Sequence, residues 1–551
     1  MIIGYNCFCF VTYELTSYYR SETNLNFLLQ ENNTTRASLL TRLTHQHVWD
    51  VLVIGGGATG LGVALDAVSR GYKTLLVEQS DFAKGTSSRS TKLVHGGVRY
   101  LAQGDVLLVR EASVERGLLT RNAPHLVKNQ TFIIPIYNYW DRLKYTMGLK
   151  LYDWISGKLT LGASLFISRK KTIESIPGIK TDGLLGGVLY HDGQFDDSRL
   201  AINLAQTILK NGGHAINYMR VVSLLKADNQ KIDGAVIQDQ ESGKKYHIKT
   251  KSVVNATGVF VDAILQMDNP SGKKTICVSQ GVHIVLDKTF YPSEHALMIP
   301  ETSDGRVLFA VPWHNKVVVG TTDTLVDEAS LEPKALETEI SFILETASSY
   351  FIRKPQRSDV LSVFTGLRPL AAPTEGQQKT KEISRSHKII VSPSNLFTIL
   401  GGKWTTYRKM GEDMVNSIEK KLHWPHKKTT TASMHIYGYV DKINWDDPLY
   451  FYGSDGIKIR ERMNGTANEW ISESLKIHKL QVKWAVEHEM ARTVEDVLSR
   501  RTRALLLNAR ESIRIAPEVA NIMSTGLNKD EQWVKQQVEE YTRLANNYIL
   551  N

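Results

Sequence analysis

The sequence predicts an α/β fold in which a Rossmann-like nucleotide-binding domain is joined to an antiparallel β domain and a C-terminal α-helical domain. The first observation is a strand, a glycine-rich turn, a helix and a second strand in succession from Asp50 to Gln79. The second is a group of stretches rich in β-branched residues between about 275 and 325, a composition typical of sheets. The third is a set of apolar residues at helical spacing from Val482 to Val497, which predicts helices packed by one face.

The segment from Asp50 to Gln79 has the spacing of a dinucleotide-binding unit. Gly55 permits the tight turn after the first strand, Gly57 lets the backbone approach a pyrophosphate, and Gly60 allows the helix to pack closely. The first N–H groups of the helix then face the phosphate anion. Glu78 ends the second strand, where a carboxylate accepts hydrogen bonds from the adenosine ribose and repels a 2′-phosphate, so NADP is disfavoured.

Two further segments bear on the kind of nucleotide. Residues Ser252–Leu265 predict another buried strand, which ends in Ala256 and Gly258 and is followed by a helix. A flavoprotein uses this form to bring a second turn to its cofactor, and a plain strand–helix turn is the alternative interpretation. The loop Lys84–Leu101 is polar, and its hydroxyl groups suit a pyrophosphate better than an apolar core. The hydroxyls that we interpret as cofactor-binding are those of Thr86, Ser87 and Ser88.

Charge and cysteine content exclude several classes of protein. The 551 residues carry a formal charge of +10 and three cysteines, too few for a disulfide framework or a zinc site, and no metal is expected. No apolar run approaches the ~18 to 20 residues that a spanning helix requires. The basic segment Lys420–Lys428 is interpreted as a solvated linker, because no nucleic-acid recognition module accompanies it.

We expect three regions along the chain. Residues 1–45 are predicted to be a poorly ordered leader, because they lack a helix or strand period and their acidic residues argue against a transit peptide. Residues 46–424 are predicted to form a discontinuous nucleotide-binding domain, with an inserted substrate or cap domain mainly at 275–360. Residues 425–551 are predicted to form the helical domain.

Three cations lie in glycine-flanked turns: Arg99 in HGGVRY, Arg368 in FTGLRPL and Lys403 in GGKWTTY. Glycine allows the backbone to crowd a ligand, and converging cations make a good receptor for a dianion. As a set they predict an anionic substrate. Taken singly, each is more simply a solvated surface charge.

Several motifs carry a resemblance when they are taken in order. They are GGGATG, GTSSRSTKLVHGGVRYL, DDSRL, NATG, SQGVHIVLD, PWHNKVVVGTTDT, SVFTGLRPL and GGKWTTYRKM. Over about residues 48–415 they resemble the FAD-dependent glycerol-3-phosphate dehydrogenases, members of the D-amino-acid-oxidase-like flavoproteins, and VEHEMARTVEDVLSRRTRALLL resembles the C-terminal helical domain of that family. The resemblance implies a D-amino-acid-oxidase-like fold and an FAD cofactor. We expect the FAD to be bound non-covalently, because the loops GGGATG and GTSSRSTK contain no histidine or cysteine to which a flavin could be attached. No EF-hand loop follows, which favours the bacterial branch.

The resemblance also implies roles for individual residues. The substrate phosphate would be held by a group of arginines with a tyrosine and a threonine nearby: Arg99, Arg368, Arg385, Tyr100 and Thr321. Gly402, Lys403 and Thr405 would lie at the flavin and substrate, and Arg368 and Lys403 would belong to the catalytic set. His283 in GVHIV matches a histidine near the reacting carbon, and an imidazole with a pKa of about 6.5 can accept an alcohol proton. A buried core histidine is the alternative.

The implied reaction is oxidation of sn-glycerol 3-phosphate to dihydroxyacetone phosphate, by hydride transfer from C2 to flavin N5, with electrons passed to a membrane quinone. Two alternatives stay open: a glycerol-3-phosphate oxidase that uses O2, and a catalytically silent flavin-binding scaffold. The expected location is peripheral, on the cytoplasmic face of a bacterial inner membrane, with the cytoplasm or the mitochondrial inner membrane as alternatives. A homodimer is a further expectation.

The segment Tyr139–Leu161 predicts contact with a membrane surface, because it interleaves apolar and basic residues as a lipid headgroup boundary requires. The apolar members are Trp140, Tyr145, Leu149, Tyr152, Trp154 and Ile155, and the basic members are Arg142, Lys144, Lys150 and Lys158. Asp141 and Asp153 oppose the prediction. The alternative is an amphipathic helix packed on the nucleotide-binding domain. Quinone dissolves in the bilayer, which favours the membrane interpretation.

Overall fold

The computed structural model describes residues 35–46, 48–97, 105–157, 160–300, 302, 305–372, 387–463 and 469–550. The chain divides into two units, residues 1–47 and residues 48–551. In the first unit, helix α1 spans Arg36–His45, and the Thr35 hydroxyl caps it by accepting the N–H of Ser38. The sequence reasoning found no helix period in the leader, and the structure differs at residues 36–45, where a capping threonine is the local signal for a helix. The rest of the predicted leader lies outside the described residues.

The second unit contains two large sheets. Their strands are β1 (Trp49–Ile54), β2 (Thr74–Val77), β3 (Leu93–Val94), β4 (Val127–Ile136), β5 (Leu165–Ser168), β6 (Gly186–Phe195), β7 (His214–Ile216), β8 (Met219–Lys226), β9 (Ile232–Asp239), β10 (Lys245–Asn255), β11 (Ile276–Asp287), β12 (Ala296–Ile299), β13 (Leu308–Trp313), β14 (Lys316–Gly320), β15 (Thr324–Val326), β16 (Ser362–Ala371), β17 (Lys388–Val391) and β18 (Leu396–Leu400). A small separate hairpin follows, made of β19 (Trp470–Ser472) and β20 (Ile477–His478).

Helices cover the sheets and form the C-terminal region. They are α2 (Ala58–Ser69), α3 (Val106–Asn122), α4 (Tyr139–Ser156), α5 (Arg169–Ser175), α6 (Asp197–Lys210), α7 (Val261–Asp268), α8 (Glu337–Tyr350), α9 (Tyr407–Leu422), α10 (Ser454–Met463), α11 (Lys479–His488), α12 (Ala504–Leu507), α13 (Ala509–Leu527) and α14 (Glu531–Ala545). Among the residues described, no helix combines the length and apolarity needed to cross a bilayer.

The first sheet carries the nucleotide-binding unit. Its strand order is β17-β18-β10-β1-β2-β7, and all of these pairs except β17 with β18 are parallel. The register places Ile54 of β1 beside Val77 of β2 and beside Asn255 of β10. The carboxyl ends of these strands therefore meet at one edge. Open α/β sheets bind ligands at such an edge.

Two glycines let α2 and α9 cross at short range. A Cβ on Gly62 would lie 2.4 Å from the carbonyl oxygen of Tyr407, and a Cβ on Gly411 would lie 2.3 Å from that of Gly62. A side chain at either position would have to displace backbone. The crossing holds the turn that precedes α9 beside the nucleotide-binding helix.

The second sheet forms the predicted antiparallel β domain. Its order is β15-β11-β14-β13-β12-β4-β6-β3, with β16 paired to β11 and β5 to β6. The sheet is wider than the predicted 275–360, because β3 to β6 come from residues 93–195. Its buried face packs on α8 through apolar residues that include Val282, Ile284, Val317, Ile340 and Ile343. This core supports β11 and β16, which carry several predicted site residues.

The C-terminal helices share an apolar core with Val285, Trp313, Val318 and Phe364 of the second sheet, and Val482, Val494 and Val497 belong to it, as their helical spacing predicts. The helix is interrupted there: α11 ends at His488, and a π-helical turn spans Asp496–Arg501. Val482 and Val494 are fully buried in the core on either side of the break. The apolar face is therefore predicted correctly, although it belongs to two segments.

Candidate active site

A cavity of about 320 Å³ lies between the loop after β2, strands β11 and β16, and the turn after β18. Its polar lining includes Thr86, Arg89, Ser90, Thr91, His95, Asp192, His283, Thr321, Arg368, Lys403 and Thr405. Its apolar lining includes Leu93, Phe132, Tyr190, Met298, Val307 and Phe309. A pocket with a few polar groups on a mainly apolar wall is typical of a cofactor or substrate site.

The glycine turn after β1 has the shape of a pyrophosphate cradle. A Cβ on Gly60 would lie 1.9 Å from the carbonyl oxygen of Gly55, and a Cβ on Gly55, whose φ is +110°, would lie 2.6 Å from that of Ala256. Gly57 differs, since among the described residues its Cβ would meet only the Ser87 hydroxyl oxygen, at 3.0 Å. The space before the N-terminus of α2 is thus left open by the protein. A pyrophosphate fits such a space.

Glu78 lies at the same edge of the sheet. Its carboxylate accepts the N–H of Gly56 at 2.6 Å and the N–H of Ser80 at 2.9 Å. Burial raises the pKa of Glu78, and the two backbone N–H groups only partly offset that effect. The bonds fix the carboxylate beside the glycine turn, where an adenosine ribose would lie.

The second predicted turn meets the first. The N–H of Ala256 donates to the carbonyl of Ile54 at 2.9 Å, and Gly258 follows with a φ of +59°. The close approach of Gly55 and Ala256 shows that this strand end does more than lead into a helix. Their cofactor contacts stay a prediction.

The loop after β2, residues 79–92, connects the cradle to the cavity; we call it the flavin loop. The Ser87 hydroxyl accepts the N–H of Ala58 at 3.0 Å, and the Ser87 carbonyl accepts the indole N–H of Trp404 at 2.8 Å. Thr86 lines the cavity and donates to the carbonyl of Leu367 at 2.5 Å. Ser88 is buried, and it does not belong to the lining that the described residues form.

Two cations of the flavin loop bind protein groups. Lys92 is fully buried, and its ammonium group lies 2.7 Å and 2.9 Å from the two carboxylate oxygens of Asp197. Arg89 donates to the carbonyl of Leu331 at 2.7 Å and to the carboxylate of Glu332 at 2.7 Å. Both cations therefore hold the loop itself in place.

Arg368 reaches the cavity from β16 through a dense set of hydrogen bonds. Its guanidinium donates to the carbonyls of Gln280 (3.1 Å) and Thr322 (3.0 Å) and to the hydroxyl of Thr321 (3.2 Å). It also lies 3.4 Å from the carboxylate of Asp323, and its side chain stays 24% exposed. A fixed cation and hydroxyl suit a phosphate, but Asp323 offsets part of the charge.

His283 is both packed in the core and at the cavity wall. Its ring stacks on Phe364 at 4.8 Å and 11°, and its Nε2 lies 2.9 Å from the Thr91 hydroxyl oxygen. Burial lowers the pKa of His283 well below its usual value, and the nearby cations Arg368 and Lys92 lower it further. These effects favour the neutral imidazole and weaken it as a base.

The turn after β18 brings three predicted residues to the cavity: Gly402, Lys403 and Thr405. Gly402 has a φ of +87°, and its Cβ would lie 2.3 Å from the end of the Met410 side chain. Lys403 precedes a short 3-10 turn that leads into α9. The α2–α9 crossing therefore positions this turn.

Arg99, Tyr100 and Arg385 lie outside the described residues, so their predicted roles stay predictions. Sequence reasoning missed Asp323 and the contact of Thr91 with His283. The sequence GTTDT placed Asp323 near Thr321, but it gave no sign that the carboxylate pairs with an arginine on another strand. No group of histidine, cysteine and acidic side chains among the described residues has the arrangement of a metal site.

The chain is similar to known proteins in sequence and in fold. The chain matches the family model of FAD-dependent oxidoreductases over residues 50–405, and that of the C-terminal domain of alpha-glycerophosphate oxidase over residues 397–534. It is 38% identical to the mitochondrial glycerol-3-phosphate dehydrogenase of Macaca fascicularis, over 91% of this chain and 74% of that protein. The chain belongs to the FAD-dependent glycerol-3-phosphate dehydrogenases. A probable mitochondrial glycerol-3-phosphate dehydrogenase of Dictyostelium discoideum is 37% identical, over 91% of this chain and 84% of that protein.

Solved structures of similar proteins agree with this family. A glycerol-3-phosphate dehydrogenase from Bacillus halodurans, complexed with FAD, superimposes with a TM-score of 0.76 and 30% identity, over 93% of this chain and 97% of that one. An L-alpha-glycerophosphate oxidase from Mycoplasma pneumoniae shares only the fold, at 16% identity and a TM-score of 0.54 over 72% of this chain and 100% of that one. Family membership confirms the predicted fold class, the predicted FAD cofactor and the prediction that the protein is an FAD-dependent oxidoreductase.

The branch within the family stays a prediction. The two curated relatives are named as mitochondrial proteins, at 37% and 38% identity, and the solved structure at 30% identity is bacterial.

Proposed function

We propose that this glycerol-3-phosphate dehydrogenase family member oxidises sn-glycerol 3-phosphate to dihydroxyacetone phosphate and passes the electrons to a membrane quinone. The observation that carries the proposal is one cavity lined by the Arg368–Thr321 pair, His283 and Thr86. Ser87, the next residue of the flavin loop, binds the N–H of Ala58 at the pyrophosphate cradle. A phosphate anchor, a base and a flavin site are the three parts that the reaction needs.

The Arg368–Thr321 pair would bind the substrate phosphate. The bonds from Arg368 to backbone carbonyls fix the guanidinium before substrate arrives, so little ordering is required at binding. Phosphate binding orients C2 of the substrate, and orientation of this kind contributes several kcal/mol to a rate. Lys403 adds positive charge at the turn after β18, where it favours negative charge in the cavity.

His283 would take the proton of the C2 hydroxyl. FAD, when bound, supplies the acceptor for the hydride that leaves C2. In the tautomer that carries its proton on Nδ1, the imidazole would accept the hydroxyl proton at Nε2, which lies 2.9 Å from the Thr91 hydroxyl oxygen. Burial, Arg368 and Lys92 disfavour the imidazolium that forms, so the proton is expected to pass from Nε2 to water once the hydride has left C2.

Anaerobic mixing tests this function directly. Glycerol 3-phosphate is expected to bleach the visible absorbance of the bound flavin without O2, and a water-soluble quinone is expected to restore it. Free glycerol is expected to reduce the flavin far more slowly, because it lacks the phosphate. Absence of bleaching would support the flavin-binding scaffold, and hydrogen peroxide formed at the rate of turnover in air would support the oxidase. Acid is expected to release the FAD, since we predict no covalent bond.

Helix α4 is the part of the molecule that we propose contacts the membrane. Residues at helical spacing form an exposed apolar stripe: Trp140, Leu143, Met147, Leu151 and Trp154. The two tryptophans are 81% and 79% exposed. Contiguous exposed apolar side chains of this kind mark interaction sites on protein surfaces. Leu107, at the start of the neighbouring α3, is 79% exposed as well. We define Trp140 to Trp154 on this face as the α4 stripe.

The charges around the α4 stripe suit an anionic lipid surface. Arg142, Lys144 and Lys150 are exposed on the same helix. The two acids that opposed the prediction bind within the protein: Asp141 accepts the side-chain amide of Asn138 at 2.5 Å, and Asp153 accepts the N–H and hydroxyl of Ser164 at 2.6 and 3.0 Å. Cations beside apolar groups bind such surfaces with a salt-dependent component.

Two residues of the predicted anchor, Leu149 and Tyr152, are wrong. Leu149 is only 1% exposed, and it packs with Phe132 and Tyr190 under the sheet. Tyr152 is also buried, where its hydroxyl accepts a hydrogen bond from Arg116 at 2.7 Å. These residues attach α4 to the protein, and the opposite face is the one left for lipid.

Substitution of Trp154→Glu together with Leu151→Glu is expected to lower binding to anionic liposomes at least tenfold, because each apolar side chain contributes about 1.5 to 3 kcal/mol when buried. Co-sedimentation measures the binding, and added salt is expected to release part of the wild-type protein. Quinone reduction on membranes is expected to fall while anaerobic flavin reduction stays unchanged.

A matched control separates the α4 stripe from a general charge effect. Ile352 and Ile457 are 62% and 52% exposed and lie outside the stripe, so Ile352→Glu with Ile457→Glu makes the same change in charge. This control is expected to bind liposomes as the wild type does. Equal loss of binding in both double variants would contradict the proposed role of α4.

We further propose that the protein is peripheral on an inner membrane. The mitochondrial names of its curated relatives favour the mitochondrial membrane over the bacterial one of the sequence-based expectation. A homodimer stays a prediction.

A further inference from the structure

The C-terminal helical domain contacts the flavin loop directly at two places and indirectly, through Glu332, at a third. Asp81, Lys84 and Arg89 are the loop residues involved, and they lie on both sides of the Thr86–Ser88 turn that faces the cofactor cradle. The chemistry proposed above uses none of these contacts. They concern the retention of FAD, which does not depend on the identity of the substrate.

The first contact is a fully buried ion cluster. Asp81 accepts hydrogen bonds from Arg500 and Arg501 of the π-helical turn, with the second Arg501 nitrogen at 2.9 Å, and it also accepts the amide of Asn217 at 3.1 Å. Burial raises the pKa of Asp81, but the two arginines outweigh it and hold that pKa far below its usual range. The carboxylate is therefore charged and tied to the C-terminal domain.

The second contact lies directly before the cofactor-facing turn. The Lys84 ammonium group lies 2.7 Å from the Glu495 carboxylate, and Arg500 donates to the same carboxylate at 2.8 Å. Burial favours the neutral acid, but Arg500 and Lys84 outweigh it and lower the pKa of Glu495 to about 2. Glu495 thus joins the loop to the ion cluster.

The third contact lies directly after that turn. Tyr548 donates to the Glu332 carboxylate at 3.0 Å, and the same carboxylate oxygen accepts the guanidinium of Arg89 at 2.7 Å. Tyr548 is buried. Tyr548, near the end of the C-terminal domain, therefore contacts the flavin loop indirectly, through the carboxylate of Glu332.

We propose that the C-terminal helical domain braces the flavin loop and thereby sets how tightly FAD is held. The braced turn contains Ser87, whose hydroxyl accepts the N–H of Ala58, the first residue of α2, at 3.0 Å. The same hydroxyl borders the open space at Gly57. A loop fixed before FAD arrives loses little conformational entropy on binding. Glu495 and Tyr548 are then positioning residues that act on FAD through Lys84 and Arg89.

The test measures the rate at which FAD leaves the holoenzyme, from the rise in fluorescence of the released flavin. Glu495→Gln is expected to raise this rate about tenfold, since it weakens the charge-assisted bonds to Lys84 and to Arg500, and Tyr548→Phe is expected to raise it several-fold. Lys84→Met removes only the first of these bonds, so it is expected to raise the rate less than Glu495→Gln, and the double variant is expected to add little to Glu495→Gln. Lys84→Arg keeps the charge and is expected to stay close to the wild type.

A matched control comes from the same C-terminal segment. Arg492 lies 2.7 Å from both carboxylate oxygens of Glu241, a residue outside the flavin loop. Arg492→Met is expected to leave FAD release unchanged. The melting temperature of each apoprotein is measured as well, and those of Tyr548→Phe and Arg492→Met are expected to lie close together. The proposal is overturned if Glu495→Gln and Tyr548→Phe release FAD at the wild-type rate, or if Arg492→Met speeds release as much as they do.

Discussion

Gly57→Val is expected to abolish FAD binding while leaving a folded apoprotein. Among the described residues, the only protein atom near a Cβ at this position is the Ser87 hydroxyl oxygen, at 3.0 Å. The Ser87 side chain can shift by the few tenths of an ångström that this contact requires. The pyrophosphate has no such freedom, because it must approach the N–H groups of α2. The purified variant is expected to be colourless, with a circular dichroism spectrum like that of the wild-type apoprotein.

Two companion variants make the result specific to the cofactor. Gly60→Ala places a Cβ 1.9 Å from the backbone oxygen of Gly55, so it is expected to lower the melting temperature of the apoprotein as well. Ser87→Ala in the Gly57→Val background removes the hydroxyl that lies near a Cβ at Gly57, and it is expected to leave FAD binding absent. If Gly57→Val retains FAD at the wild-type stoichiometry, the pyrophosphate does not lie at this turn.

The nucleotide-binding half of the fold could be predicted because its glycines stand where the strand–turn–helix unit brings backbone atoms too close together for a side chain. Gly55 and Gly60 touch each other's backbone, so the turn forms from residues close in sequence. The flavin loop could not be predicted in the same way. Lys92 pairs with Asp197, 105 residues away, and a sequence pattern does not tell such a buried ion pair from a ligand-binding cation.

Helix α4 shows a second limit of sequence reasoning. Leu149 and Leu151 are both apolar, and both fit helical spacing with Trp154 or Tyr152. One leucine is buried and the other exposed because the packing of α4 on the second sheet selects the inward face. That sheet draws β4 and β6 from residues 127–195, well before the segment in which the β-branched stretches predicted it. Strand pairing between distant parts of the chain therefore determined both the extent of the second sheet and the face of α4 that is buried.

Arg368→Ala is expected to lower kcat/KM for glycerol 3-phosphate by at least tenfold, with a smaller effect on the slow reaction of free glycerol. Loss of a charged hydrogen bond to phosphate costs on the order of 1.5 to 3 kcal/mol, and each 1.4 kcal/mol is a factor of ten. The variant also leaves the Asp323 carboxylate without this cation, 3.4 Å from where the guanidinium was. A carboxylate beside the cavity repels a dianion once its cation is removed, so the measured loss combines a missing attraction with a new repulsion.

A double-mutant cycle with Asp323→Asn separates these two effects. If Arg368 binds the phosphate, Arg368→Ala with Asp323→Asn recovers only the part of kcat/KM that was lost to repulsion, and it stays well below Asp323→Asn alone. If Arg368 serves only to neutralise Asp323, the double variant matches Asp323→Asn. Arg368→Lys keeps the charge but cannot reach Thr321 and the carbonyl of Gln280 together. It is therefore expected to retain part of the affinity for phosphate and to reduce the flavin more slowly, in stopped-flow measurements, than the wild type.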